Sequence, residues 1–283
     1  MILQYNSTVP GPPKHPMQSI EILKLCPHIH TLLRPRFSGP GLYFDYEAVG
    51  LPLPALQRLE WWHYDEAERS GGINSLADVL HAAPNLSYLF VGGVISFSRI
   101  CTQKEIPSLP HLQTLRISTI NGLLLHQIVS RWSLPSLTHI ILDSLDLDLG
   151  LIWDAFGNQL KSVEFGKHLR FFTCDRLSPC LNGCPGLEEL NFYLYFTSPA
   201  GTIQPHNSLT TIRIHSAFNG LLFNDAAVWD LIHRHFEFLC GSNLPALRHI
   251  ILYGDWQFIL DHPRFTSIRD KLRDIDRILE VSQ

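Results

Sequence analysis

Pro110-His111-Leu112-Gln113-Thr114-Leu115-Arg116-Ile117 is the stretch on which the reading of this chain turns. It holds an apolar residue, two variable residues, a second apolar residue, one variable residue and a third apolar residue, with proline two positions ahead. The last two apolar residues alternate as in a β-strand and share a face, while the first anchors the entry to that strand. The same phrase recurs at Leu56 (after Pro54), Leu86 (after Pro84), Leu137 (after Pro135), Leu187 (after Pro185) and Leu247 (after Pro245). It is weaker at Leu160 and lacks the proline at Leu209, and a degenerate first copy follows Pro27 at Ile29. Proline leads seven of the nine copies, whose starts differ by 27, 30, 26, 25, 23, 27, 22 and 38 residues.

Between phrases the apolar period changes to the helical one. Leu76, Val79, Leu80 and Ala83 follow a possible Asn74 cap, and Leu125, Ile128, Val129 and Trp132 follow Asn121. In the longest interval Val228, Leu231, Ile232, Phe236 and Leu239 follow Asn224-Asp225, so the extra residues fall on the helical side. Strand and helix alternating at about 20 to 29 residues per repeat predict an α/β fold, an irregular leucine-rich-repeat solenoid or horseshoe. Parallel strands would line its concave face and helices or loops its convex face. The usual Asn or Cys at the ninth position is replaced by Tyr64, Val94, Ile120, Leu145, His168, Tyr195, Ala217 or Asp255, which predicts unlike loops. The expected organisation is a flexible N-terminal segment over 1–19, about nine repeats over 20–260 and a C-terminal capping helix over 261–283. Ile268, Leu272, Ile275 and Leu279 would form the buried stripe of that helix.

Composition narrows the function classes. Formal charge is -4, from 22 basic and 26 acidic residues, with no basic stripe to neutralise phosphates, so nucleic acid is not an expected partner. No apolar run reaches the roughly 18 residues that cross a bilayer, so neither is a membrane. Six cysteines form no dense framework and Met1 to Gly11 lack a signal-peptide pattern, which predicts reduced thiols and an intracellular, cytoplasmic or nuclear location.

The phrases Leu53-Pro54-Ala55-Leu56-Gln57-Arg58-Leu59, Leu109-Pro110-His111-Leu112-Gln113-Thr114-Leu115, Leu134-Pro135-Ser136-Leu137-Thr138-His139-Ile140, Cys184-Pro185-Gly186-Leu187-Glu188-Glu189-Leu190 and Leu244-Pro245-Ala246-Leu247-Arg248-His249-Ile250 resemble the repeat region of fungal F-box proteins with leucine-rich repeats. The likeness covers about residues 20 to 255. It implies a substrate receptor of a cullin-type ubiquitin ligase, in which an F-box module grips the ligase adaptor and the repeats hold the target. The roughly 25 residues ahead of the first phrase carry no Leu-Pro-led helical module, so an adaptor contact has no visible basis in this stretch.

No catalytic motif stands out. Neither H-E-x-x-H, G-x-S-x-G nor a glycine-rich phosphate loop occurs, so no catalytic residue, metal or cofactor is expected and the chain is read as a non-enzyme. The alternative is a hydrolase whose catalytic groups are dispersed in sequence. Cys174, Cys180 and Cys184 near His168 lack the paired spacing of zinc modules and read as buried thiols. Asp143, Asp146 and Asp148 resemble a calcium loop without its distal Glu, and read as a solvated edge. His233 and His235 are two apart on a predicted helix and so diverge.

If the phrases are strands, the variable residues beside the second and third apolar positions point outward along the concave sheet. The expected protein-binding residues are Arg58, Glu60, Trp62, Tyr88, Phe90, Arg116, His139, Glu164, Glu189, Tyr193, Arg213, His215, His249 and Tyr253. Nine strands about 4.8 Å apart would make a strip roughly 38 Å long. Such a strip accommodates a protein partner at about 800 Å² per side, and its aromatic and arginine content suits interface anchors.

Overall fold

Each Leu-anchored phrase is a β-strand. The computed structural model describes residues 25–34, 52–63, 75–93, 108–143, 148–166, 174–216 and 226–282. The strands are β1 (Thr31–Arg34), β2 (Arg58–Trp62), β3 (Tyr88–Gly92), β4 (Thr114–Ser118), β5 (His139–Leu142), β6 (Ser162–Phe165), β7 (Glu189–Tyr193), β8 (Thr211–His215), β9 (His249–Tyr253) and β10 (Ile278–Ser282). Seven α-helices are described: α1 (Leu76–Ala82), α2 (Gly122–Arg131), α3 (Gly150–Phe156), α4 (Leu177–Gly183), α5 (Ala226–Cys240), α6 (Gln257–Leu260) and α7 (Pro263–Asp274). Strand order follows the chain from β1 to β10, and every described register is parallel. The chain divides within β5 into two compact units, Met1–Ile140 with Asp146–Asp148 and Ile141–Leu145 with Leu149–Gln283.

The proline of each phrase has a mechanical role. Leu56, Leu86, Leu112, Leu137, Leu187 and Leu247 each donate an amide to the carbonyl three residues earlier, at Leu53, Ala83, Leu109, Leu134, Cys184 and Leu244, over 3.1–3.3 Å. Proline thus holds the second position of a β-turn, where its fixed φ is already suitable. Both ends of each turn are buried, Leu53 and Leu56 for example, so the corner is pinned into the core. The phrase at Leu209 has no proline and builds the corner differently. There the Leu209 amide donates to Nδ1 of buried His206 at 3.2 Å, and His206 Nε2 donates to the Cys184 carbonyl at 2.9 Å. At Leu160 the end of α3 serves instead, with Leu160 N donating to Phe156 O at 3.2 Å.

Neighbouring strands are joined at their start by a recurring rung. One carbonyl accepts two consecutive amides: Gln57 O from Ser87 and Tyr88, Ser87 O from Gln113 and Thr114, Glu188 O from Thr210 and Thr211, and Thr210 O from Arg248 and His249. Leu59, Leu89, Leu115, Ile140, Val163, Leu190, Ile212 and Ile250 lie in the core with virtually no exposure, and so do the residues two places on, from Trp61 to Leu252. Each such side chain contributes about 1.5–3 kcal/mol when removed from water. Helices meet this inward side: Trp153 of α3 packs edge-on against Phe165 at 6.3 Å, and His235 of α5 stacks on Phe192 at 5.6 Å. The expected helical stripes are buried at Leu76, Val79 and Leu80 and at Val228, Leu231, Ile232, Phe236 and Leu239. Asn121 caps α2 by accepting from Leu124 N at 2.8 Å. Asn74, Asn224 and Asp225, expected as caps, lie outside the described residues, and Ser75 occupies the cap position of α1.

The C-terminus departs from expectation. The helical stripe read through Leu279 ends with α7 at Asp274, and Ile278–Ser282 forms β10, parallel to β9. Asp276 takes a positive φ of 54°, which no helix accommodates, and the Arg277 guanidinium bonds the carbonyls of Gly241 at 3.1 Å and Leu244 at 2.9 Å.

Candidate protein-binding face

Outward positions of the first unit form a small grid. Register aligns Arg58 with Tyr88 and Thr114, Glu60 with Phe90 and Arg116, and Trp62 with Gly92 and Ser118. Of the adjacent tryptophans, Trp61 is core and Trp62 faces out. The Arg58 guanidinium lies 3.9 Å over the Tyr88 ring and pairs with Glu60 Oε1 at 2.5 Å. Arg116 lies 5.6 Å over the Phe90 ring, and Trp62 meets Phe90 edge-on at 5.0 Å. Gly92 makes room for that ring pair, because a Cβ there would come within 2.7 Å of Phe90 Cζ and 3.0 Å of Trp62 Cζ3. Phe90 faces outward but is only 6% exposed, so it supports the patch from beneath. His139, at the outward start of β5, is half-buried, and desolvation holds its pKa below the usual value.

In the second unit Glu164, Asn191, Arg213 and Ile251 occupy neighbouring outward positions, as do Tyr193, His215 and Tyr253. Tyr193, His215 and Tyr253 form a stack, with ring centroids 4.7 and 5.0 Å apart and planes tilted by 24° and 14°. One ring per strand at strand spacing produces this ladder. Arg213 pairs with Glu189 at 3.1 Å and reaches the Tyr253 hydroxyl at 3.5 Å, while Asn191 Nδ2 donates to Glu164 Oε2 at 3.2 Å. His249 Nδ1 lies 3.2 Å from Glu280 Oε1 of β10. Burial, and secondarily the Arg213 charge, lowers the His215 pKa and favours the neutral ring. Arg213 Nε, His215 Nε2 and Asn191 Oδ1 are shielded from water and have no hydrogen-bond partner among the described residues. Charged, amide and aromatic groups arrayed on a rigid sheet can recognise a ligand by hydrogen bonds, stacking and ion pairing.

All fourteen residues expected on the outward side are found there, gathered on β2–β5 in one region and β6–β9 in the other. Three contributors escaped that selection. Asn191 shares the outward alternation of Glu189 and Tyr193 without being a charged or aromatic anchor, Gly92 carries no side chain to flag, and Glu280 falls in the stretch whose spacing predicts a helix. An alternating Leu279-Glu280-Val281 was the available signal for the last. Elsewhere, Cys180 on α4 and Cys184 just past its end are buried one helical turn apart while Cys174 is exposed; burial, then the bond to Cys184, pushes the Cys180 thiol pKa up. His235 is buried and His233 points out beside Glu237, so the two diverge. His168 and Asp146 lie outside the described residues. Among the described residues no three His, Cys, Asp or Glu side chains are grouped to hold a metal, and no helix is long and apolar enough to cross a membrane. No family model and no curated protein matches the chain.

Proposed function

We propose that this chain is a protein-binding scaffold: an irregular leucine-rich-repeat solenoid whose strand faces hold a protein target. The resemblance of its phrases extends the proposal to the substrate-recognition part of an F-box-type ubiquitin-ligase receptor. The observation that carries the reading is the character of the outward strand positions. A sheet needs only its inward residues for a core, yet the outward ones here hold Trp62, Tyr88, Arg116, Tyr193, Arg213 and Tyr253, all still partly exposed. Trp, Tyr and Arg are the side chains that anchor protein interfaces.

The test places a photo-activated cross-linking residue at Tyr88, at Tyr253 and, as a control, at exposed Asp154 on α3, in extract of the organism that carries the protein. Protein adducts are expected from Tyr88 or Tyr253 and not from Asp154. Arg116→Glu should reduce the Tyr88 adduct while leaving the thermal midpoint unchanged. Equal labelling from Asp154 would refute protein binding through the strand faces. A ligase adaptor among the recovered proteins supports the receptor form, and a partner without it supports a plain scaffold.

A further inference from the structure

The last strand of the sheet is open along one side. β10 pairs with β9, and no strand follows it in the order. The stretches beside it, 254–263 after β9 and 274–277 ahead of β10, are both described, and neither hydrogen-bonds its outer side. In a parallel ladder each residue turns both of its backbone groups to one neighbour, and successive residues alternate. The Ile278 amide donates to the Arg248 carbonyl at 2.8 Å, so Ile278, Glu280 and Ser282 serve β9. The Arg277 carbonyl and the backbone groups of Leu279 and Val281 therefore point away from the sheet. Arg277 stands where Gln57, Ser87, Glu188 and Thr210 each receive two amides of the following strand. Such an edge is a template for one more strand.

Its side chains are also left incomplete. Leu279 and Val281 are in register with Ile250 and Leu252, which are fully buried, yet Val281 is half exposed and Leu279 only partly covered. Ile278, on the outward side, is half exposed as well. Proline, lysine and bulges are the devices that usually blunt an edge. β10 has neither proline nor lysine, and its register with β9 is unbroken. One charge stands in the middle of the strand: Glu280 is half exposed, with His249 at 3.2 Å as its partner. A carboxylate there favours a strand that brings a cation to the facing position.

We infer that the free edge of β10 takes an extended segment of a partner protein as an added strand, with a basic residue opposite Glu280 and an apolar residue on each side of that base. The two apolar side chains cover Leu279 and Val281, and the cation meets Glu280 on the outward side. Alternation makes this pattern the same for either strand direction. The sheet already accommodates it, since β4 reads Thr114-Leu115-Arg116-Ile117-Ser118 and β8 reads Thr211-Ile212-Arg213-Ile214-His215. A second copy of the chain suits the edge less well. Antiparallel pairing that sets Leu279 against Val281 would bring two Glu280 side chains face to face at about 5 Å. A single short strand also offers little beside the roughly 20–30 residues that each side of a stable dimer contributes. This edge is a different surface from the outward strand faces, so the present inference and the face reading can fail separately.

The experiment titrates the full chain into a fluorescein-labelled peptide, Gly-Ser-Thr-Ile-Arg-Ile-Thr-Gly-Ser, and into a twin with Glu in place of Arg, and follows anisotropy. The basic peptide should bind about fivefold more tightly than the acidic one, and Glu280→Lys should invert that preference. Val281→Pro removes an amide that faces the free edge and none that serves β9. It should weaken the basic peptide about tenfold while leaving the thermal midpoint in place. The inversion keeps the test decisive if the proline variant folds poorly, since a damaged fold cannot gain affinity for the acidic peptide. No binding of the basic peptide, equal binding of the two, or a preference unchanged in E280K would each overturn the inference. A dimer in sedimentation velocity that V281P dissolves would assign the edge to a second copy and overturn it too.

Discussion

His235 shows at the scale of one side chain how the core responds to acid. It is fully buried on α5, its Nε2 donates to the Thr197 carbonyl at 3.2 Å, and its Nδ1 has no hydrogen-bond partner among the described residues. Desolvation lowers its pKa from 6.5 to about 4. The unfolded chain binds a proton near the ordinary histidine value and the folded chain does not until far lower. Stability conferred by the neutral ring is therefore complete above about pH 6.5 and drains away as pH falls to about 4, by about 3 kcal/mol in total. The urea midpoint should fall between pH 7 and pH 5, and His235→Phe should remove most of that slope. A variant retaining the full slope would place the effect elsewhere; His139 and His215, also lowered by burial, leave a smaller residue of the same sign. Among the outward arginines, Arg213 is tied to Glu189 with its Nε shielded, so reversing its charge sets two acids together and weakens the fold.

At the scale of elements, α3 and α4 approach through glycine. A Cβ built on Gly157 would overlap the Gly183 carbonyl oxygen and come within 2.5 Å of the Trp153 carbonyl, while one on Gly183 would come within 2.5 Å of Trp153 Cβ. Gly157→Ala would gain up to about 1 kcal/mol of helix propensity, but forcing backbone apart costs about 1–3 kcal/mol, so net destabilisation is expected. Chemical denaturation checks the sign, and a stabilised variant would show that the two helices can slide. This approach left no trace in the sequence, since Gly157 follows no phrase and its neighbour in space is 26 residues away. Strands were legible because an alternating pair of buried residues needs only local spacing. The C-terminal strand was not, because Ile268, Leu272, Ile275 and Leu279 keep helical spacing across the point where Asp276 turns the chain. What decides that region is Arg277 reaching carbonyls more than 30 positions earlier, a contact no local pattern encodes.

For the molecule as a whole, each strand lies beside its neighbours in sequence, so stability should be distributed locally. Leu59→Ala opens a cavity in the first unit at a cost of about 2–5 kcal/mol. Native-state hydrogen exchange should show the loss at the amides of β2 and β3 and spare those of β7 to β9. A uniform loss across both units would mean that the chain unfolds as one cooperative body. Parallel strand order was readable from the sequence because strand and helix alternate, and so was the outward face, down to Trp62 over Trp61. The pairings on that face were not, because whether Arg213 joins Glu189 depends on registers between strands. The seven proline-bearing corners, and the His206 corner that stands where a proline is missing, bear on how the chain can vary. A bend that closes on itself fixes the direction of the following strand whatever precedes it, so the intervening stretch can vary from 22 to 38 residues between starts without disturbing alignment. Such a chain can gain or lose material on one side across generations while the residues on the other keep their spacing, leaving what it recognises and how long it is free to change separately.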